Sequence, residues 1–125
     1  MQEERIRFDG ITGASAGAVN AVAVAHGFAL PTQKCNEAIN PREAARACLA
    51  KIWHGVEAMG RMGAMAEVDF EAIARLQSPK VFVSATHIST GQAEIFSGKR
   101  LGLQAVMAST CLPTVFKAVE INGQP

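Results

Sequence analysis

The spacing of apolar and polar side chains changes period several times along the chain. From Arg5 to Ile11 they alternate, with Ile6 and Phe8 on one side and Arg7 and Asp9 on the other. That two-residue period predicts a β-strand, which Gly10 and Gly13 punctuate. Ala16 to His26 (AGAVNAVAVAH) is apolar nearly all round and made of small side chains. Such a stretch predicts a buried helix pressed against a sheet, with Gly27 as its C-terminal cap. Asn40-Pro41-Arg42-Glu43 then offers an N-cap, a proline at the first helical position and a capping-box acid. The apolar stripe Ala45, Cys48, Leu49, Ile52, Trp53, Val56 and Met59 follows at three- and four-residue steps as far as Gly60. It predicts a helix with one core-facing side, Trp53 included.

Beyond Gly60, GRMGAMAE reads as a short, flexible, Gly/Met-rich connection, and Asp69 caps a brief helix that runs through Leu76 and stops before Ser78-Pro79. Lys80 to Ile88 reads as a strand carrying Val81, Phe82, Val83, Ala85 and Ile88. Ser89-Thr90-Gly91 turns it into a second strand, Gln92 to Phe96. Leu101 to Ser109 is a further helix, Pro113 terminates it, and Val119-Glu120-Ile121 begins a strand leading into Asn122-Gly123, a strong hairpin-turn pair. A hairpin turn calls for a returning strand, and only Gln124 and Pro125 follow, so the chain is expected to be part of a longer one. No internal repeat is visible. Strands interleaved with helices define an α/β class.

Length and composition narrow the picture. With 125 residues and 13.2 kDa the chain suffices for one hydrophobic core, so residues 1–125 are read as a single domain. Twelve Lys and Arg against eleven Asp and Glu leave a net charge of +1, without the electrostatic footprint of a nucleic-acid partner. The 49% hydrophobic and 18% charged content opposes disorder. The apolar run around Ala21–Ala25 is broken by His26 and Gly27, well short of the roughly 20 residues of a transmembrane span. Cys35, Cys48 and Cys111 form no CxxC pair, so neither a disulfide framework nor a zinc site is indicated. A cytoplasmic location is the simple inference. The acid-bearing N-terminus lacks a secretion-signal pattern, and export stays open should a preceding segment exist.

Chemistry concentrates at Gly13-Ala14-Ser15-Ala16-Gly17, a GxSxG motif between a predicted strand and a predicted helix. In that setting the glycines let the backbone turn sharply enough to project the Ser15 hydroxyl, and the helix N-terminus beyond it offers free N–H groups to developing negative charge. Ser15 is therefore a candidate nucleophile, the alternative being a serine that merely caps the helix. A serine hydroxyl also needs a neighbouring proton acceptor. Asp9 lies on the strand leading away from Ser15, and Asp69 is explained as an N-cap. His26 is about 16 Å along the helix from Ser15, and His54 falls on the Trp53 helix as a solvated side chain. His87, near the C-terminal end of a strand, completes a second possibility: Ser15, Asp69 and His87 follow the chain order of an α/β-hydrolase triad. The simpler role for His87 is a hydrogen bond at the strand end.

Four segments together resemble the patatin-like phospholipases: ITGASAGAVNAV (11–22) the nucleophile segment, KIWHGV (51–56) an Ile-Trp helix, VFVSATHISTGQAEIFS (81–97) the central hairpin, and AVMASTCLPTVFKAVEINGQP (105–125) the late helix and strand. The resemblance implies a three-layer α/β/α fold with a central, mostly parallel sheet, here truncated at both ends. It implies a lipid acyl hydrolase with a Ser-Asp dyad, in which Ser15 is the nucleophile and Gly13, Ala14, Ala16 and Gly17 shape the elbow. The aspartate base would lie just beyond Pro125, so no residue of this chain inherits that role. The Gly-rich oxyanion loop would precede the first residue, leaving the Ala16 N–H as a contributor by analogy. Residues 60–68 are shorter than in typical relatives. No metal or cofactor is implied; the partner is a lipid or ester substrate met by transient contact with a membrane surface. The chain by itself is expected to turn over little substrate. The other readings are the Ser15-Asp69-His87 hydrolase and a non-catalytic binding module.

Overall fold

A computed structural model describes residues 7–30, 40–111 and 117–125. In chain order they form strand β1 (Gly10–Gly13), helix α1 (Ala16–Ala29), helix α2 (Pro41–Met65), helix α3 (Phe70–Arg75), strand β2 (Lys80–Thr86), strand β3 (Ala93–Ser97), a 3-10 turn (Gly98–Arg100) and helix α4 (Leu103–Ser109). The class is mixed α/β, around a three-stranded sheet of order β1-β2-β3. β1 runs parallel to β2, pairing Ile11 with Val81 and Gly13 with Val83, and β2 pairs antiparallel with β3 through Val83–Phe96. The described residues establish this three-stranded sheet with its helices.

Register decides which side chains become core. Paired residues in adjacent strands point to the same face, so Ile11, Val81, Val83 and Phe96 share one. Val81, Val83 and Phe96 are buried there, and Val81 and Val83 join Ala18, Val22 and Ala25 of α1, Leu101, and Val106 of α4 in one cluster. The opposite face carries Thr12, Phe82, Ser84 and Ile95, of which Thr12 and Ile95 are exposed. Each fully buried Val contributes about 1.5–3 kcal/mol, so Val22, Val83 and Val106 supply much of what holds α1 and α4 on the sheet.

Several elements depart from the pattern reading, each for a stated reason. Arg7, Phe8 and Asp9 are not in the strand, which begins at Gly10; the earlier part of the expected strand lies outside the described residues. The sheet is nonetheless entered early, since Lys80 N–H donates to the Asp9 carbonyl at 3.0 Å. Gly27 does not end α1, which continues to Ala29. A Cβ on Gly27 would stand 2.2 Å from Ala45 Cα, so this glycine lets α1 and α2 approach closely. The start of α2 follows expectation: the Asn40 side chain accepts from Arg42 N–H at 3.0 Å, with proline in the first turn. Its end does not. Gly60, at φ 77° and ψ 173°, interrupts α2, and helix resumes through Met65, which is 1% exposed. The 60–67 stretch is thus largely helical, because Met65 and Ala64 supply apolar surface that the core takes up.

Trp53 is not part of the packed face. It is 40% exposed, and its Nε1–H donates to Asn20 Oδ1 at 2.7 Å. The indole needs an acceptor, and the polar residue on α1 holds it at the rim. Asp69 caps α3 as expected, accepting from Ala72 N–H at 3.0 Å. Cys48 and Cys111 form no disulfide among the described residues, and Cys35 and Pro113 fall outside them. No described helix is long and apolar enough to cross a membrane.

Candidate active site

Only Ala14 and Ser15 separate the end of β1 from the start of α1, so the chain must reverse within two residues. Ser15 takes φ 54° and ψ −126°, a left-handed conformation for a residue that has a Cβ. Such a backbone costs about 1–3 kcal/mol and survives only where its surroundings over-determine it. Gly13 supplies part of that constraint: a Cβ there would lie 2.3 Å from the Gly17 carbonyl oxygen, so strand end and first helical turn touch backbone to backbone. Gly17 differs, because a Cβ on it would meet nothing within 4 Å.

At this bend the Ser15 side chain does not cap α1. Ser15 is exposed, and its hydroxyl makes no hydrogen bond among the described residues. The backbone donors around it are nearly all committed. Gly17 N–H donates to the Ala14 carbonyl at 2.9 Å and Ala18 N–H to the Ser15 carbonyl at 3.0 Å. The Ser15 N–H donates to Ser109 Oγ at 2.9 Å, a contact between residues 94 apart in sequence. The Ala16 N–H is left without an acceptor among the described residues. Exposed Ser15 thus has an uncommitted backbone donor on the residue that follows it. Ala14 serves as the carbonyl that closes the first turn.

Ser109 was invisible to sequence reasoning as a site residue. Its place at the end of a helix could be read, but a hydrogen bond across 94 residues leaves no mark in a single sequence.

The titratable residues are occupied elsewhere. Asp69 Oδ1 accepts from Ala72 N–H at the head of α3. His87 Nε2 lies 2.9 Å from Gln124 Oε1 and its Nδ1 lies 3.1 Å from Ser89 Oγ, so both ring nitrogens are engaged. Ser15, Asp69 and His87 are therefore not brought together by hydrogen bonds, and His87 takes the structural role at the strand end. His26, half-buried on α1, has Nδ1 4.0 Å from Cys48 Sγ. Burial pushes its pKa below the ordinary histidine value, Asp69 pulls the other way, and Lys51 adds to the lowering. Burial likewise raises the Cys48 thiol, and Lys51 opposes that. Asp9 sits exposed before β1, and His54 is exposed on α2. Among the described residues no group of three or more His, Cys, Asp or Glu could hold a metal ion.

The ends of the two parallel strands fix what surrounds Ser15. Because β1 and β2 run the same way, the bend after Gly13 and the residues after Thr86 lie at one edge of the sheet. A two-residue turn at Asn122 (φ 53°) and Gly123 (φ 77°) is docked at that edge. Ile121 and Gln124 exchange backbone hydrogen bonds across it at 2.9 and 3.1 Å, and Ile88 N–H donates to the Pro125 carbonyl at 3.2 Å. Ala108 of α4 lines a small pocket with Ala85, Phe96, Ile121 and Gln124. The end of α4 therefore touches both the Ser15 bend, through Ser109, and this turn. A cleft of about 700 Å³, lined by Phe8, Val24, Phe28, Leu49, Arg46 and Pro79 among others, opens at the opposite edge and contains no residue of the bend.

Compared with known proteins, the chain matches no family model and no curated protein.

Proposed function

We propose that this chain carries the nucleophile of a lipid acyl hydrolase of the patatin-like kind, with Ser15 attacking carboxylic esters of lipids within a three-layer α/β/α fold. The observation that supports this reading above all is the backbone of Ser15. A serine that served only as an N-cap would take an extended backbone and accept from the first helical turn. Ser15 does neither, and keeps an exposed hydroxyl, without a hydrogen bond among the described residues, at a strained strand-to-helix bend.

The chemistry is two-step acyl transfer. A carboxylate, which the resemblance places beyond Pro125, accepts the Ser15 hydroxyl proton as Oγ adds to the ester carbonyl carbon. The carbonyl oxygen gains negative charge, and the Ala16 N–H is the nearest uncommitted backbone donor to meet it. Collapse breaks the bond to the alcohol, which leaves with the proton, and water then adds to the acyl-serine to release the fatty acid and restore Ser15. Contact with the lipid surface is transient. A reducing compartment such as the cytoplasm suits Cys48 and Cys111, which form no disulfide among the described residues. The triad alternative is disfavoured by the commitments of Asp69 and His87.

The test is labelling of the full-length protein with a fluorophosphonate, alongside hydrolysis of short-chain nitrophenyl esters. Both signals are expected and both should vanish in Ser15→Ala. His87→Ala should retain most of the activity. An intact, folded protein that neither labels nor hydrolyses would instead make the chain a binding module, and loss of activity in His87→Ala would reinstate the triad.

A further inference from the structure

We propose that Ser109 is a positioning residue for Ser15: its hydroxyl holds the Ser15 amide and so fixes the direction in which the Ser15 side chain leaves the sheet. This rests on the reading of Ser15 as a nucleophile. The carrying observation is the 2.9 Å hydrogen bond from the Ser15 N–H to Ser109 Oγ. Every other hydrogen bond found at the bend is local, within residues 14–18. Those local bonds close the first turn of α1, but none of them involves the peptide unit between Ala14 and Ser15 through its N–H. Rotation about the Ser15 φ would swing that unit; Gly17 N–H holds its carbonyl side from within the bend, and Ser109 holds its N–H side from outside it.

Ser109 is well placed to do so because α4 is anchored independently of the bend. Ala105 and Val106 are 2% and 1% exposed, packed into the core beside β2, so the helix end that presents Ser109 does not move with the 13–17 segment. The bond also sorts the donors. With the Ser15 N–H taken by Ser109, and those of Gly17 and Ala18 turned to carbonyls, the Ala16 N–H is the donor of residues 15–18 left without an acceptor among the described residues and available to a developing oxyanion. Without Ser109 the Ser15 N–H would turn to water, and the left-handed conformation would lose a restraint comparable to its own strain.

The experiment compares wild type, Ser109→Ala and Ser109→Thr in the full-length protein by two readouts. The first is the rate of fluorophosphonate labelling at Ser15: Ser109→Ala should label about tenfold more slowly, the loss of one neutral hydrogen bond, while Ser109→Thr, which keeps the hydroxyl, should stay near wild type. The second is amide hydrogen exchange followed by NMR. The wild-type Ser15 amide should be protected, and Ser109→Ala should raise its exchange about tenfold without changing that of Val22 and Ala23 in the middle of α1. Equal labelling and exchange in wild type and Ser109→Ala would overturn the inference. So would an unprotected Ser15 amide in the wild type, a result that needs no variant to fold. A wild type that does not label at all, with a protected Ser15 amide, overturns the nucleophile reading and leaves the hydrogen bond standing.

Discussion

Replacing Ser15 by glycine should yield a more stable protein than replacing it by alanine. Alanine keeps a Cβ at φ 54°, whereas glycine populates that region freely. Relief of a left-handed backbone is worth about 1–3 kcal/mol, and glycine returns about 0.5–1 kcal/mol of it through the greater freedom of the unfolded chain. Neither variant loses a side-chain hydrogen bond, because the hydroxyl makes none among the described residues, and both keep the backbone N–H that donates to Ser109 Oγ. The expected difference is therefore about 1 kcal/mol in favour of Ser15→Gly, or about 3–5 °C in melting temperature for a domain of this size. Urea titrations and thermal melts followed by circular dichroism measure it, provided the two variants share the same urea dependence. Ser15→Gly no more stable than Ser15→Ala would refute the claim that the bend stores strain. Both variants should be equally dead as nucleophiles, so the stability difference is independent of chemistry.

The remaining predictions concern the glycines and the half-buried histidine. Gly13→Ala should destabilise by about 3 kcal/mol, since its Cβ would meet backbone at 2.3 Å; Gly17→Ala, with open space around it, should be neutral or stabilise by about 0.5–1 kcal/mol. The two glycines of one motif should thus separate cleanly in urea titrations. Gly27→Ala should cost about 3 kcal/mol as α1 and α2 are forced apart at Ala45, whereas a helix-capping glycine would lose much less. Burial lowers the His26 pKa, so below its ordinary value of 6.5 the unfolded chain binds a proton that the folded one resists. Stability contributed by neutral His26 is then fully present above that value and lost as pH falls below it. The urea midpoint should drop as pH falls from about 7.5 to about 5.5, and His26→Gln should flatten that drop; an unchanged slope would dismiss the effect.

What could be read from residues alone was whatever depends on neighbours in sequence. The Asn40-Pro41 start of α2, the Asp69 cap, the Asn122-Gly123 turn and the strand–bend–helix around Ser15 are local, and each is found where its residue types point. The misread features depend on contacts between distant segments. Gly27 looks like a helix stop until Ala45 of α2 is placed against it. Trp53 belongs to an apolar stripe by spacing, yet Asn20 captures its indole N–H. Met65 lies in a segment of flexible composition and becomes one of the most buried side chains because the core has room for it. Ser109 follows the same rule: an ordinary residue at the end of a helix acquires its role only from what stands opposite.

On the proposed reading of Ser15 as a nucleophile, holding it and activating it are separate physical problems, and the described residues bear on them unequally. The holding is complete within the described fold: Gly13 against Gly17, the carbonyls of Ala14 and Ser15, and Ser109 together over-determine a backbone that serine would otherwise avoid. Activation needs a proton acceptor within about 3 Å of the hydroxyl. The candidates that the sequence offered are spent on other tasks, Asp69 on a helix cap and His87 on Gln124 and Ser89. Strain of this kind is seldom retained without a use, and a cap would not need it. The Asn122-Gly123 turn is docked on the same sheet edge as the bend, tied there through Ile88 and His87. The end of α4 reaches both places, the bend through Ser109 and the pocket beside that turn through Ala108.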